Sequence, residues 1–162
     1  MNREILTREV REVKLGVHGS RLASVRSRSE RETAVRVFSE GRVGTASAVG
    51  AISVDTLTEQ ARDALSLGIP YGPLPSSEQT LHVSHSGPDV SLSALTDFTE
   101  GLLATLREDY PTLIFSEGVT HQRETVTYRS DRGLDLSWDV SSTAAVFFVK
   151  ERGSANIIDS FS

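Results

Sequence analysis

Residues 34–47 read AVRVFSEGRVGTAS, and this run constrains the fold more than any other in the chain. Two apolar-alternating stretches flank Glu40-Gly41, which predicts two antiparallel strands joined by a two-residue turn. Gly41 can take a positive φ at no steric cost, as such a turn demands. Val35 and Val37 share one strand face; Arg36 and Phe38 share the other. Gly44, Ala46 and Ala48 then line one face of the returning strand with very small side chains. A row of this kind implies that another backbone lies close against it.

The rest of the chain reads as more strands and two helices. Val13, Leu15 and Val17 alternate as a first strand. His18-Gly19-Ser20 turns it, and Leu22 and Val25 begin the return. Ser53 is placed to cap a helix, with Thr56 and Glu59 as a capping box one turn later. Val54, Leu57, Ala61, Ala64 and Leu65 form its apolar stripe. Gly68 and Pro70 end it, and a proline-containing loop spans 69–77. Because the stripe is rich in Ala, this helix is expected to lie close on a sheet. Residues 80–86 alternate as a strand, with Leu81 and Val83 on one face, until Gly87-Pro88. A longer helix over about 91–110 carries Leu92, Leu95, Phe98, Leu102, Leu103, Leu106 and Tyr110 as one apolar stripe, ended by Pro111. Residues 113–115, 125–128, 134–140 and 144–150 read as strands. Asp131-Arg132-Gly133 and Glu151-Arg152-Gly153 read as turns. Leu134, Leu136, Trp138 and Val140 are expected on a buried face. The fold class is α+β, a largely antiparallel sheet with two main helices packed on it, in a single domain covering 1–162.

Composition narrows the function. A chain of 162 residues can bury a core without staples. A net charge of −5 argues against non-specific nucleic-acid binding, which needs clustered cations. The absence of cysteine excludes disulfides, thiolate catalysis and Cys-type zinc sites, and fits the cytoplasm. The charged N-terminus lacks the apolar run of a signal peptide, and residues 144–149 are too short to span a membrane.

No motif in the chain carries chemistry. His82 and His85 could chelate a metal from a helix, but in a strand an odd offset sends their rings to opposite faces. No His-Glu-x-x-His motif is present, and no Gly-x-Ser-x-Gly elbow places a serine among the scattered Ser, His and Asp residues. Arg21, Arg26, Arg28, Arg31 and Arg36 read either as an anion patch or as a solvated strand face offset by Glu30 and Glu32. Gly41, Gly44 and Gly50 flank strands, whereas a phosphate cradle precedes a helix. No catalytic, cofactor-binding or metal residue is assigned. An exposed strand edge able to take an extended peptide remains open.

The run AVRVFSEGRVGTAS, followed by SVDTLTEQARDAL and the proline-containing loop, resembles the N-terminal domain of the TldD/PmbA family. This family was once described as modulators of DNA gyrase and is now regarded as metalloproteases. VREVKLGVHGSRLASV resembles the family's opening strand pair, and TYRSDRGLDLSWDVSS its strand, turn and strand around Asn-Ser-x-Gly, here Ser130-Asp131-Arg132-Gly133. The resemblance runs over 10–162. It implies a non-catalytic domain that shapes a substrate chamber or subunit contacts, and a role in proteolysis or maturation of small unfolded peptides. The implied partners are a TldD/PmbA-type subunit, in a heterodimer, and an unfolded peptide, with no membrane. Zinc is implied only for a C-terminal domain with a His-Glu-x-x-x-His motif, and none of that motif stands in this chain. The family opens with a helix, which only residues 1–9 could supply. The wording VGTAS leans toward the PmbA type. A stand-alone peptide-binding module working at a sheet edge is the rival reading, and a small hydrolase built from the scattered Ser, His and Asp residues is a third.

Overall fold

The structure, a computed structural model, describes residues 1–72, 78–85, 87, 90–154 and the backbone of Ile157–Phe161. Seven strands occur among the described residues: β1 (Asn2–His18), β2 (Arg21–Ser39), β3 (Arg42–Val49), β4 (Gln79–His85), β5 (Leu113–Ser130), β6 (Leu134–Glu151) and β7 (Ile157–Phe161). Two α-helices join them, α1 (Val54–Asp63) and α2 (Leu92–Asp109). The strand order is β3-β2-β1-β5-β6-β4, with β7 also against β6. The β2–β3 and β6–β7 pairs are antiparallel, whereas β4 runs parallel to β6. This is the α+β class that the order of elements implied.

Four strands are much longer than their apolar alternation suggested. β1 begins at Asn2, so residues 1–9 supply strand where the resemblance called for a helix. The apolar pattern there is interrupted by charges that pair across strands. Arg3 reaches Asp131 at 3.8 Å, Arg8 reaches Glu124 at 2.9 Å, Glu9 meets Arg31 at 3.6 Å, and Glu4 meets Arg36 at 2.9 Å. A strand face satisfied by ion pairs has no hydrophobic period to read. Likewise 113–115 and 125–128 are one strand, β5. It is continuous through an irregularity at Glu117 and Gly118, where φ is 100° and 142°. A side chain at Gly118 would strike the Leu15 carbonyl, so glycine is required there.

The chain divides into two compact units. The first comprises Met1–Val10, Ser29–His85 and Glu124–Val140. Its core joins fully buried Val35 and Val37 of β2 to Leu57 and Ala61 of α1, flanked by Ala46, Ala48, Val54 and Leu65. The β2–β3 turn forms at Glu40-Gly41, with φ of 51° and 72°, and Ser39 pairs with Arg42 across it. Two successive positive φ values match the right-handed twist of the flanking strands. Gly44 meets α1 directly: a Cβ there would lie 1.8 Å from the Ala61 carbonyl oxygen. The small-residue row is thus the seat of the helix. Ser53 caps α1 by accepting from the Thr56 amide at 3.0 Å, so the cap is Ser53 itself and not a Thr56–Glu59 box. A 3₁₀ turn, Ala64–Leu67, follows and ends at Gly68, whose φ is 69°. Ile69 and Tyr71 then return to β3: Val43 N donates to Ile69 O at 2.9 Å, and Tyr71 N to Gly41 O at 2.7 Å. The rest of the proline loop, 73–77, lies outside the described residues, as does Ser86 at the end of the expected strand.

The second unit comprises Arg11–Arg28, Ser86–Arg123 and Ser141–Ser162. Its core gathers Leu15 and Val17 of β1, Leu95 and Leu103 of α2, Phe115 and Val119 of β5, and Phe147 and Val149 of β6. Ser91 caps α2 by accepting from the Ala94 amide at 3.1 Å. The helix buries a narrower stripe than its apolar residues suggested. Leu95, Thr99 and Leu103 are buried, while Leu92, Phe98 and Tyr110 are half exposed. One helix face of about 100° fits against a sheet, and apolar residues beyond that arc stay in water.

Candidate interaction surface

β4 ends the strand order, and among the described residues nothing pairs with its outer edge. The opposite end strand differs, because Ile69 and Tyr71 cover the start of β3. β4 is only seven residues long, and six of the seven are exposed. A short edge is one way a sheet limits unwanted pairing, yet β4 carries no Lys, Arg or Pro to block it.

The parallel register fixes what the two faces of β4 and β6 present. Thr80, His82 and Ser84 lie beside Asp135, Ser137 and Asp139; Leu81, Val83 and His85 lie beside Leu136, Trp138 and Val140. The polar row is knit by side chains. His82 Nδ1 is 2.5 Å from Ser137 Oγ, and Ser84 Oγ donates to Asp139 at 3.0 Å. The apolar row is open: Leu81 is 48% exposed, Trp138 39% and Val140 42%. The alternation of Leu134, Leu136, Trp138 and Val140 is therefore real, but the face is not buried. Alternation reports that one face is apolar, and only packing decides whether anything covers it.

The site residues weighed in the sequence separate. His82 and His85 do lie on a strand, three positions apart and so on opposite faces. Among the described residues no group of three or more His, Asp or Glu is placed to hold a metal ion. His82 meets one serine and Asp139 another. Of the five arginines in and around β2, Arg31 and Arg36 pair with Glu9 and Glu4. Arg21 stands at the His18–Arg21 turn, and Arg26 lines a shallow pocket with Lys14 and Glu117, which are paired.

Beneath these surfaces the first unit holds a buried carboxylate. Glu4 is 7% exposed, with Arg36 Nη2 2.9 Å from its Oε2. That contact is poorly aligned as a hydrogen bond and leaves Oε2 without a geometric donor. Tyr128 shares the site. Burial, then its hydrogen bond to Glu4, pushes the phenol up to about 12. Nearby, Arg8 and Glu124 form a two-pronged pair at 2.9 Å on each prong. Their hydrogen bond holds the Glu124 carboxyl below its ordinary range and the Arg8 guanidinium above its own. In the second unit, Val90, Ala94, Leu95, Phe98, Thr143 and Ala145 line a mostly apolar hollow, with Phe98 54% exposed.

No family model and no curated protein matches the chain in sequence. Solved structures match it in fold. TldE from Thermococcus kodakarensis superposes with a TM-score of 0.72 at 16% identity, over 98% of this chain and 38% of that one. A Thermotoga maritima protein described as a modulator of DNA gyrase gives 0.71 at 16% identity, over 96% and 37%. A Bacteroides thetaiotaomicron protein of the same description gives 0.58 at 12% identity, over 92% and 36%. The chain thus spans little more than a third of the length of each. These are structures of the group that residues 34–65 resemble, and at such identities they establish a shared fold. No described helix is long and apolar enough to cross a membrane.

Proposed function

We propose that residues 1–162 are a single TldD/PmbA-type N-terminal domain. It carries no catalytic group of its own and serves the proteolysis or maturation of small unfolded peptides in the cytoplasm. Its part is to hold an extended peptide against the free edge of β4, in a chamber shared with a TldD/PmbA-type partner subunit. The fold likeness to TldE and the two modulator-type proteins supports the family. The observation that carries the peptide role is the open edge of β4 beside the exposed row Leu81, Trp138 and Val140. An unpaired strand supplies backbone donors and acceptors, and alternate apolar side chains give pockets for a partner strand.

Trp138 is the only tryptophan and sits in that row, so its emission reports occupancy. An unstructured peptide with alternating apolar residues is expected to shift Trp138 emission to the blue, saturably. Gln79 N–H donates inward to Gly133 O, so the even positions of β4 turn their N–H groups outward. Thr80→Pro removes one of these edge donors, and Val140→Asp charges the row. Each should abolish the shift while the far-ultraviolet circular dichroism of the chain is kept. An unchanged titration in both variants refutes the edge reading. Tight binding by the chain alone, with no gain on adding a partner subunit, favours the rival reading of a stand-alone peptide-binding module.

A further inference from the structure

We infer that the second unit holds a phosphate-binding site formed by Arg21, Arg107 and Arg152. The three arginines line one cavity of about 470 Å³ together with Ser20, Tyr110 and Leu113. That volume falls among the sizes of small-ligand pockets. They come from three separate places: the turn after β1, the last turn of α2 and the turn after β6. Among the described residues no carboxylate lines the cavity, and Arg21, Arg107 and Arg152 make no salt bridge. Five arginines elsewhere, Arg3, Arg8, Arg31, Arg36 and Arg129, are each paired with a carboxylate. In a chain with 22 acidic and 17 basic residues, three guanidinium groups sharing a hollow without an acid are an uncompensated charge. Like charges held together are unfavourable until an anion enters, and then each strengthens its hold.

The frame of the cavity is built. Ser20 is buried at φ 61°, and three of its groups are engaged. Its amide donates to Phe115 O at 2.8 Å, its Oγ accepts from the Phe115 amide at 2.9 Å, and its carbonyl accepts from Arg107 Nη1 at 3.3 Å. The Arg152 amide donates to Thr112 O at 2.8 Å, which fixes the third arginine's backbone. Arg107 spends one of five guanidinium donors on Ser20, so the fork can still present its other edge. Three cations exceed what a single carboxylate neutralises and suit a phosphate dianion, whose oxygens take paired N–H donors. The cavity is larger than a phosphate group, and Tyr110, Pro111 and Leu113 supply an apolar wall for an organic substituent.

The ligand is therefore a phosphate group, either free or carried on a small phosphomonoester. Inorganic phosphate and phenyl phosphate serve as probes, titrated into the ¹⁵N-labelled chain at constant ionic strength set with chloride. Saturable shifts are expected at the amides of Gly19, Ser20, Arg21, Leu113 and Arg152. Tighter binding of phenyl phosphate identifies a phosphomonoester site, and equal binding identifies a site for free phosphate. Arg21→Gln and Arg152→Gln, both at exposed positions, should each weaken binding about tenfold or more, since each removes a charge-assisted contact. Arg152→Lys, which keeps the charge but loses the fork, should fall between. Arg62→Gln, on α1 in the other unit, should leave the titration unchanged. Linear shifts scattered over the surface, unchanged affinity in both glutamine variants, or acetate binding as well as phosphate would overturn the assignment.

Discussion

Replacing Gly44 by Ala is the sharpest test of how β3 and α1 are joined. Gly44 does not adopt a positive φ, so alanine is allowed there by its own backbone. Only the helix opposes it. A Cβ would lie 1.8 Å from Ala61 O, 2.9 Å from Leu65 N and 3.0 Å from Ala61 C. All three are backbone atoms, so no rotamer change relieves the overlap. Ordinary contact begins near 3.4 Å, and about 1.6 Å must be found by moving the strand or the helix. Overpacking of this kind costs about 1–3 kcal/mol, and backbone-on-backbone overlap belongs at the upper end. Backing the helix away also opens the contact of fully buried Leu57 and Ala61 with Val35 and Val37, at roughly a further 1 kcal/mol if part of the Leu57 burial is lost. Against this, alanine stiffens the unfolded chain and returns about 0.4–1 kcal/mol. The expected net loss is about 3 kcal/mol. Urea unfolding followed by Trp138 emission reads it, because Trp138 belongs to the same unit. Gly101→Ala is the control. Gly101 lies within α2 with open space where its Cβ would stand, so the substitution should stabilise α2 by roughly 0.5–1 kcal/mol, read by circular dichroism at 222 nm. A Gly44→Ala chain as stable as the parent would refute the direct seating of α1 on β3.

Two further outcomes are expected. Because the folded state raises the Tyr128 phenol from 10.0 to about 12, it binds that proton more tightly than the unfolded state does. The resulting stabilisation is whole below pH 10 and is lost as pH rises toward 12. Tyr128→Phe should remove the late step from the 295 nm titration and flatten stability over that window, and a parent titration with every phenol centred near pH 10 would contradict the burial and the Glu4 contact that raise Tyr128. Ser53→Ala should cost about 1 kcal/mol by leaving the Thr56 amide uncapped, with Ser53→Asp restoring it, both by urea unfolding.

Local signals in the chain were legible where one residue type has one use. Glu40-Gly41 between alternating runs could only turn, Gly44 beside Ala46 and Ala48 could only admit a close backbone, and Ser53 sat where a cap is needed. Strand length was not legible, because residues 2–12 satisfy their strand faces with charges whose partners lie far along the chain. Arg8 needs Glu124 and Arg3 needs Asp131, and neither pairing leaves a trace in periodicity. Exposure was not legible either. Leu136, Trp138 and Val140 alternate as well as any buried strand, and only the exposure of Trp138 and Val140 in the folded chain shows that their face is open. The possibility of a free edge could be stated from composition, while its identity required the pairing.

The arginines illustrate the same limit and explain why the candidate anion site lay hidden. Along β2 the sequence groups Arg21, Arg26, Arg28, Arg31 and Arg36, which suggests one patch. A strand sends alternate residues to opposite faces, and a neighbouring strand decides which charges survive. Glu9 meets Arg31 and Glu4 meets Arg36, so those two contribute little net field. Arg21, the first residue of β2, makes no ion pair among the described residues, and the ends of α2 and β6 bring Arg107 and Arg152 to the same hollow. Charge density along the sequence is therefore a poor guide to potential in a sheet protein. The informative quantity is the number of cations at one place minus the acids opposite them. By that measure the chain's most positive described hollow draws one arginine from the sequence cluster and two from more than 80 positions away. If phosphate binds there, its affinity should follow Arg107 and Arg152 as closely as Arg21, which no reading of β2 alone would anticipate.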